Sequence, residues 1–461
     1  MKTTLLTLLA LVMAAPLLHA EKSKLIERKI AAAAGQKIEI MGLSSANIAV
    51  KSWDNPQVYI KITVKVSASD EDDETLFLDS MKIVEAPHST NVAISIQDKL
   101  PPESDDQFNL FGWRFGSYFK KEVSCEVYLP SANPVTLSAR YSSLSIDGVR
   151  GELRLLGKSN TLTITDCTAL KDISNDYGTT TVQNSKGRLT LVAKSGAVRI
   201  QDFSDYVSVE APYSSIRLAA LKSGAGIKSK SGSIDISNST GDVLIEAQYA
   251  AMTLSDIRGQ VTISSKSATI TLKNTDRAMV NSDYSTIDFK QIRATDSSAI
   301  IVNDRSGSIR IDEAYGKVEI DAPASKIGIR KVSGDVGIIT QSGKISASEL
   351  TGKLNIKADN TTIIARSLDV PSVWINGKNN SIEIGCNRLP KNTVVLNDNG
   401  TTSMKIAPGF SGMLNLEATQ GRIETNLQLD GKNGATVFRG SLGSSSETIT
   451  IKSGMVRLFQ L

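Results

Sequence analysis

The chain has 461 residues and a formal net charge of +4, and aromatic residues make up only 5% of it. The near balance of charge, without a basic block, argues against a nucleic-acid-binding protein. So few aromatic residues are unusual for a conventional globular enzyme, whereas abundant Ser, Thr, Gly, Ile and Val suit many short strands joined by tight turns.

The N-terminal segment 1–20, "MKTTLLTLLALVMAAPLLHA", predicts a secretory signal peptide, with the basic Lys2, an apolar run and the small Ala20 at a cleavage position. An N-terminal membrane anchor is the alternative, but the run is short for a spanning helix. The mature chain is therefore expected in the periplasm, on the outer surface or secreted, with no transmembrane segment. Its cysteines, Cys125, Cys167 and Cys386, are odd in number and widely spaced, which favours buried thiols over disulfides.

Residues 21–140 are predicted to form an N-terminal β region that caps the rest of the fold. They hold alternating apolar and polar runs such as "QVYIKITVKVS", and the acidic run Ser69–Thr75 is expected to be a solvated loop. The segment "QFNLFGWRFGSYFKK" is a candidate partner-binding aromatic patch; the alternative is that its rings plug the open end of the fold. The patch consists of Phe108, Phe111, Trp113, Phe115, Tyr118 and Phe119.

From residue 141 onward a motif recurs at a constant step of 18, beginning with "YSSLSI" at Tyr141. The next seven starts are Ser159, Tyr177, Ser195, Tyr213, Ser231, Tyr249 and Ser267. Tyr284 follows after a step of 17, and the step of 18 resumes from Ser306. Each unit holds two pairs of apolar residues that alternate with polar ones, which is the pattern of a strand with one buried face.

This repeat predicts an all-β fold, a parallel β-helix (β-solenoid) over residues 141–430 in which one repeat unit forms one turn. We expect the coil to be right-handed. One coil cannot bury its apolar face alone, so stacked coils must share a continuous apolar interior. About sixteen turns at strand spacing would form a rod roughly 75 Å long. Residues 431–461 are expected to be the C-terminal cap.

A second period, twice as long, overlies the first. The units that open with tyrosine alternate with the others, and these same units end with Lys158, Lys194, Lys230 and Lys266. A 36-residue coil would stack the lysines at strand spacing, where like charges repel by about 1 kcal/mol even in water. The sequence therefore favours the 18-residue coil. The tyrosines are expected to fill a packed corner, with stacking on sugars as the alternative.

Two further positions of the unit carry structural signals. The eighth position alternates Asp and Asn, which predicts left-handed turns; a calcium ladder is the alternative, although alternating amides make a poor metal site. Its members are Asp166, Asn184, Asp202, Asn238, Asp256 and Asn274. The eleventh position is often glycine, as at Gly187 and Gly334, which permits positive φ or close backbone approach.

Catalytic motifs are scarce, so the protein is expected not to be an enzyme and to need no cofactor. The mature chain has one histidine, His88, and neither HExxH nor paired CxxC occurs. "GELRLLGKS" has one residue too many between its glycines for a phosphate loop, so it is interpreted as a repeat turn. No catalytic, cofactor-binding or metal-ligating residue is predicted.

The repeats carry a family resemblance. "SGDVGIITQSGKISASELTGKLNIKA" resembles the SG-D-[VI]-x-[VI] repeats of the family called "putative bacterial adhesin", a domain family of unknown function related to the auto-transporter adhesin head domains. The stretch "KIEIMGLSSANIAVKSWDNPQVYIKITV" and the closing "LGSSSETITIKSGMVRL" resemble it too, so the match covers nearly the whole mature chain. The resemblance implies a β-helical, exported envelope protein with no established catalytic residues. Many units here lack the Asp of the motif, and the insertion around Trp113 lies outside it.

The leading hypothesis is a non-catalytic exported β-solenoid of the bacterial cell envelope or surface, an adhesin or binding scaffold for cell-surface polysaccharide or an envelope protein. The rival is a polysaccharide-acting β-helix enzyme, which needs clustered carboxylates in a lateral cleft. The irregular turn Ala294–Arg305, with Asp296 and Asp304, is where such a cluster is expected. A periplasmic assembly or sensing partner is a third hypothesis.

Overall fold

The structure, a computed structural model, describes residues 21–87, 91–98, 108–110, 113–115, 119–293, 300–428, 435–443 and 446–460. About 71% of the chain is strand and 2% is helix. The strands wind into a β-solenoid of about 15 turns, with successive turns about 18 residues apart. The predicted fold class is therefore confirmed, and the right-handed coil stays a prediction.

Ten described strands and one helix precede the regular repeats. They are β1 Lys22–Ala31, β2 Lys37–Ser44, β3 Asn47–Trp53, β4 Gln57–Ala68, α1 Glu71–Ser80, β5 Lys82–Pro87, β6 Asn91–Gln97, β7 Phe108–Leu110, β8 Trp113–Phe115, β9 Phe119–Pro130 and β10 Val135–Arg140. The acidic run predicted as a loop instead begins α1. Asp70 caps this helix by accepting a hydrogen bond from the Asp72 amide, and acidic side chains in the first turn suit the helix dipole.

Within the repeats, the strands form two stacks, here called face A and face B. Face A begins with Ser143–Asp147 and Thr161–Thr165, and face B with Leu153–Lys158 and Leu170–Asp176. The long strands Ala225–Thr240, Val243–Ser264, Thr269–Ser282 and Asn392–Ile406 each continue from one face to the other. The strands of the repeats are β11 Ser143–Asp147, β12 Leu153–Lys158, β13 Thr161–Thr165, β14 Leu170–Asp176, β15 Thr179–Gln183, β16 Leu189–Val192, β17 Ala197–Gln201, β18 Val207–Glu210, β19 Ser214–Ala219, β20 Ala225–Thr240, β21 Val243–Ser264, β22 Thr269–Ser282, β23 Thr286–Arg293, β24 Ile300–Asp304, β25 Ser308–Tyr315, β26 Val318–Asp321, β27 Ala324–Ser333, β28 Val336–Thr340, β29 Ser342–Leu350, β30 Leu354–Ala358, β31 Thr361–Leu368, β32 Ser372–Lys378, β33 Ser381–Cys386 and β34 Asn392–Ile406. The chain ends with β35 Gly412–Ala418, β36 Ile423–Thr425, β37 Val437–Leu442 and β38 Thr448–Gln460.

The strand register decides between the two periods. Leu144 lies beside Leu162, one repeat unit further along, and Lys158 lies beside Asp176 rather than beside another lysine. The backbone N–H of Lys194 donates to the Asp176 carboxylate at 2.9 Å. The 18-residue coil is therefore confirmed. Along each strand, buried apolar residues alternate with outward-facing residues, and the stacked coils bring each kind into a continuous row.

The turns also follow their sequence signals. Asp166, Asn184 and the other residues of the eighth position have φ near +50°, so the left-handed interpretation is confirmed. A Cβ added to Gly334 would lie 2.1 Å from the carbonyl oxygen of Gly316 on the neighbouring coil, so only glycine fits there.

Buried amides complete the interior at one corner of the first coils. The side-chain N–H groups of Asn160 donate to the Ala139 carbonyl at 2.9 Å, and those of Asn175 donate to the Asn160 carbonyl at 3.0 Å and the Thr180 hydroxyl at 3.1 Å. Each of these buried amides thereby has a partner, which removes the cost of taking it out of water. Asn380, Asn397 and Thr402 repeat the arrangement near the other end.

The solenoid continues below residue 141, where the chain order is no longer sequential. β2 lies parallel between β10 and β6, and β3 lies parallel between β11 and β9. The coil of β2 and β3 is thus inserted between later segments of the chain. Antiparallel strands lie outside it: β4 and β1 follow β9, and β5 follows β6.

The C-terminal end has the same kind of insertion. β38 pairs in parallel with β34 on one side and with β35 and β36 on the other. The outermost strand is β37, which runs antiparallel to β35. The last strand of the chain is therefore one layer inside the end of the stack, with β35 and β37 beyond it.

The three cysteines are free and buried, as predicted. Burial raises the pKa of the Cys125 and Cys386 thiols to about 12 and that of Cys167 to about 11. In the described part of the chain, no helix is long and apolar enough to span a bilayer. The predicted signal peptide lies outside the described residues.

Candidate functional site

A shallow groove of about 450 Å³ crosses five consecutive coils of face B, on β24, β26, β28, β30 and β32. Alternate residues of each strand point outward, so two outward rows line it. The first row is Ile301, Glu319, Gly337, Asn355 and Trp374, and the second is Asn303, Asp321, Ile339 and Lys357. We call this the Trp374 groove.

Gly337 creates the floor of the groove. A Cβ added there would meet nothing closer than 3.9 Å, so the missing side chain leaves open space between Glu319 and Asn355. The side chains of Ile339 and Trp374, which flank the trough, remain 49% and 38% exposed. Large apolar side chains that flank an open trough are typical of a surface that contacts a ligand.

Polar groups surround this apolar floor. Glu319 forms an ion pair with Lys317, whereas Asp321 and Lys357 have no ion-pair partner among the described residues. An indole face packs against the apolar face of a sugar ring, and carboxylate, amide and ammonium groups hydrogen-bond its hydroxyls. The groove therefore has the chemistry of a carbohydrate subsite.

The tyrosines that open alternate units form a second surface feature. They are 53–59% exposed, so the predicted packed corner is wrong. The physical reason is that the residue after the tyrosine points inward instead, as Ser142, Ser214 and Ala250 do. At Tyr141, Tyr177 and Tyr213 the backbone is also left-handed, with φ between +52° and +63°. We call Tyr141, Tyr177, Tyr213, Tyr249 and Tyr284 the tyrosine ladder.

The predicted aromatic patch is described only in part. Phe119 is half-buried, and its ring meets that of Phe77 edge-to-face at 5.3 Å between centroids, so this ring packs under α1. The strands β7 and β8 form an antiparallel hairpin in which Phe108 lies opposite Phe115. The side chains of that hairpin, together with Phe111 and Tyr118, lie outside the described residues. Binding by this segment stays a prediction.

A different aromatic cluster lies on the N-terminal sheet, where sequence reasoning did not expect one. Trp53 and Tyr128 have ring centroids 5.5 Å apart, and Tyr59 lies directly opposite Tyr128 across β4 and β9. The Trp53 indole N–H donates to the Gln57 carbonyl at 2.7 Å. Such cross-strand aromatic pairs stabilise a sheet, and this cluster already has a structural role.

The turn expected to hold a catalytic carboxylate does not present Asp304. This side chain is 2% exposed and accepts hydrogen bonds from the Ser282 hydroxyl at 2.6 Å and the Ser285 amide at 3.2 Å. It therefore fixes a corner of the coil. Asp296 and His88 lie outside the described residues.

The Asp and Asn residues at the eighth position of the repeat unit do not assemble a metal site in the described structure. The Asn274 amide donates to the Asp256 carboxylate, and no group of three or more His, Cys, Asp or Glu residues in the described ranges is placed to hold a metal ion. These residues instead adopt the left-handed backbone of the turn, and their side chains can hydrogen-bond between neighbouring coils.

Sequence reasoning missed the Trp374 groove. The outward position of Trp374 follows from the alternation in "SVWINGK", where Val373 and Ile375 are buried. The trough itself depends on Gly337 lying two coils away from Trp374 in the stack, which requires the register of several coils at once.

Comparisons with known proteins add little. The sequence matches no family model and no curated protein. Among solved structures, a protein from Clostridium sporogenes described as a "putative cell adhesion protein" is 11% identical, with a TM-score of 0.24, over 50% of this chain and 99% of that one.

Proposed function

We propose that the protein is a non-catalytic, exported binding scaffold of the bacterial cell envelope, an adhesin that holds extended polysaccharide in the Trp374 groove. The observation that carries this proposal is the exposed indole beside an open trough, with polar side chains on both sides. Because the groove lies on stacked strands rather than on loops, little ordering entropy would be lost on binding. Export is supported by the predicted signal peptide.

Binding tests the proposal directly. The purified chain is titrated with neutral polysaccharides, alongside Trp374→Ala, which removes the indole, and Gly337→Leu, which fills the trough. Each variant should lower affinity at least about tenfold, as loss of a central contact does.

Matched controls are available on the same rod. Leu244 is 44% exposed in the same outward row of face B but lies away from the groove, so Leu244→Ala should leave binding intact. Gly328 has open space above it on face A, so Gly328→Leu should do the same. Unchanged affinity in Trp374→Ala and Gly337→Leu would overturn the proposal.

The rival enzyme function has one observation in its favour. Glu319 and Asp321 lie two residues apart on β26 and both line the groove, so two carboxylates would face a bound chain. Release of new reducing ends or unsaturated products, lost in Glu319→Gln and Asp321→Asn, would establish catalysis. Binding without product supports the scaffold.

Location is a separate test. Labelling of intact cells with an impermeant reagent should modify the protein if it is displayed as an adhesin. Labelling only after the outer membrane is opened would favour the periplasmic assembly or sensing partner.

A further inference from the structure

The tyrosine ladder has no role in the fold that would explain its residues. Ser159 and Ser195 occupy the same position on the intervening coils with the same left-handed backbone, at φ +56° and +55°. At Tyr141, Tyr177 and Tyr213, where φ is positive as well, a bulky residue is strained, so serine or asparagine would serve those turns better. The ladder hydroxyls form no hydrogen bond within the described residues, and no two ladder rings are in contact there.

The ladder is accompanied by cations. A lysine directly precedes each of the units that open with serine. These lysines are Lys158, Lys194, Lys230 and Lys266, and they lie on the coils between the ladder tyrosines. All four are exposed, and none has an ion-pair partner among the described residues. The Lys158 ammonium lies 6.0 Å from the centre of the Tyr177 ring, so cation and ring share one surface.

Elsewhere on the rod, cations are matched with acids on the next coil. Arg217 lies 3.3 Å from Asp235, and Lys228 lies 3.5 Å from Glu246. At the ladder, the Asp176 carboxylate instead accepts the Lys194 backbone N–H at 2.9 Å, and Asp283 pairs with Arg305 at 3.4 Å. Within the described ranges, the four lysines of the corner therefore form no ion pair, although the Asp176 carboxylate lies between Lys158 and Lys194, and Glu210 and Glu246 lie near Lys230 and Lys266.

We infer that this corner is a second binding site, separate from the Trp374 groove, for a linear acidic polysaccharide with one carboxylate in each two-sugar repeat. The surface repeats every two coils, roughly 9.6 Å, and each repeat offers one aromatic face and one ammonium. An extended chain of alternating sugars presents the same face and the same charge once per disaccharide, so its repeat matches that of the surface.

Charge density distinguishes this ligand from nucleic acid. A nucleic-acid strand carries one phosphate about every 3.4 Å, which would place nearly three phosphates against each lysine. One carboxylate per disaccharide places a single charge there. On the face-A side, outward hydroxyls such as those of Ser143 and Thr161 lie within the same coils and can bind sugar hydroxyls.

The length of the ladder gives a quantitative expectation. Tyr141 and Tyr284 are eight coil steps apart, or roughly 38 Å, so one ligand chain would contact five rings in succession. Affinity for hyaluronan oligosaccharides, which alternate a uronate and an amino sugar, should rise with chain length until the chain spans the ladder. Each added contact acts at high effective concentration.

The decisive variant is Tyr177→Ser with Tyr213→Ser, because serine is what the neighbouring coils carry at this position. The fold should be kept, and affinity for a long hyaluronan oligosaccharide should fall at least about tenfold. Tyr315→Ser is the control, since Tyr315 is equally exposed, at 55%, but lies off the ladder. Lys194→Ala with Lys230→Ala should also weaken binding and reduce its dependence on salt.

Several outcomes would overturn the inference. The first two are hyaluronan binding that the ladder variants leave unchanged, and hyaluronan affinity that does not depend on chain length. The other two are an affinity for neutral cello-oligosaccharides equal to that for hyaluronan, and an equal, ladder-dependent affinity for single-stranded oligothymidylate. Trp374→Ala should not change ladder binding. The proposed function and this inference can therefore fail independently of each other.

Discussion

Gly334 and Gly337 are three residues apart, but the coil makes opposite demands on them. Gly334 lies at a corner where the neighbouring coil approaches within 2.1 Å of an added Cβ, and Gly337 points into open space. Both glycines lose backbone conformational freedom on folding, so the effect of adding a methyl group differs only in the steric clash that it causes in the folded state.

Gly334→Ala should therefore lower the free energy of unfolding by roughly 2 kcal/mol, because the backbone of two coils must move apart. Gly337→Ala should leave it unchanged or raise it by a few tenths of a kcal/mol, since alanine restricts the unfolded chain. Urea midpoints of the two variants measure the difference. Equal midpoints would contradict the close approach.

The buried thiols make stability depend on alkaline pH. The folded pKa values of about 11 and 12 lie above the ordinary value of 9.0. Above pH 9 the unfolded chain releases these protons while the folded chain retains them, so stability is fully present below pH 9 and falls as pH rises toward 11–12.

The measurement is the urea midpoint as pH is raised through this window. Because lysines and tyrosines also titrate there, the comparison is with Cys125→Ala, Cys167→Ala and Cys386→Ala combined, which should show a shallower fall. Identical slopes in the two proteins would show that the thiols contribute nothing.

At the scale of the strand, burial alternates even in the segment inserted at the C-terminal end. On β38, Ile449 and Ile451 are fully buried, whereas Thr450 between them is half-buried on the outward face. This strand lies between β34 and β35, so it joins the last regular coil to the covering strands.

Ile449→Asp should detach the C-terminal strands, because an unpaired charge cannot remain in the apolar interior. The parallel edge of β34 would then be open to pair with other chains, so soluble aggregates should appear in light scattering. Thr450→Asp is the matched control one residue away and should remain monodisperse. Aggregation of both variants to the same extent would mean that β38 is not held by its buried row.

The strands and turns could be predicted because their signals are local. Alternation identifies the rows at Leu144 and Leu153, and Asn184 identifies a left-handed turn from its own side chain. The direction of Tyr141 could not be predicted this way, since it depends on whether that residue or Ser142 points inward at the corner. The Trp374 groove required residues from five coils, and no single unit contains it.

The whole molecule follows a different rule from a globular domain, because each coil contacts mainly its two neighbours. Along the regular coils, neighbours in the stack are also neighbours in sequence. At the ends of the described structure they are not: β2 and β3 at one end, and β38 at the other, are inserted between segments distant in sequence. Those insertions need long-range pairing, and no periodicity in the sequence indicates them. The antiparallel strands beyond them, β1, β4 and β5 at one end and β37 at the other, cover the ends, which are the parts of a parallel stack most exposed to self-association.

Nearest-neighbour stacking predicts that damage to a central coil stays local. Ile245 is fully buried, so Ile245→Ala should cost about 2–4 kcal/mol, chiefly through the cavity that it leaves. In a linear array this cost falls on the coil and its neighbours. Native-state hydrogen exchange should therefore quicken in β20 to β22 and remain unchanged in the N-terminal coils of β2 and β9.

Leu244→Ala, at the exposed neighbouring position, should leave the whole pattern unchanged. Faster exchange along the entire chain in Ile245→Ala would mean that the rod unfolds as a single cooperative unit.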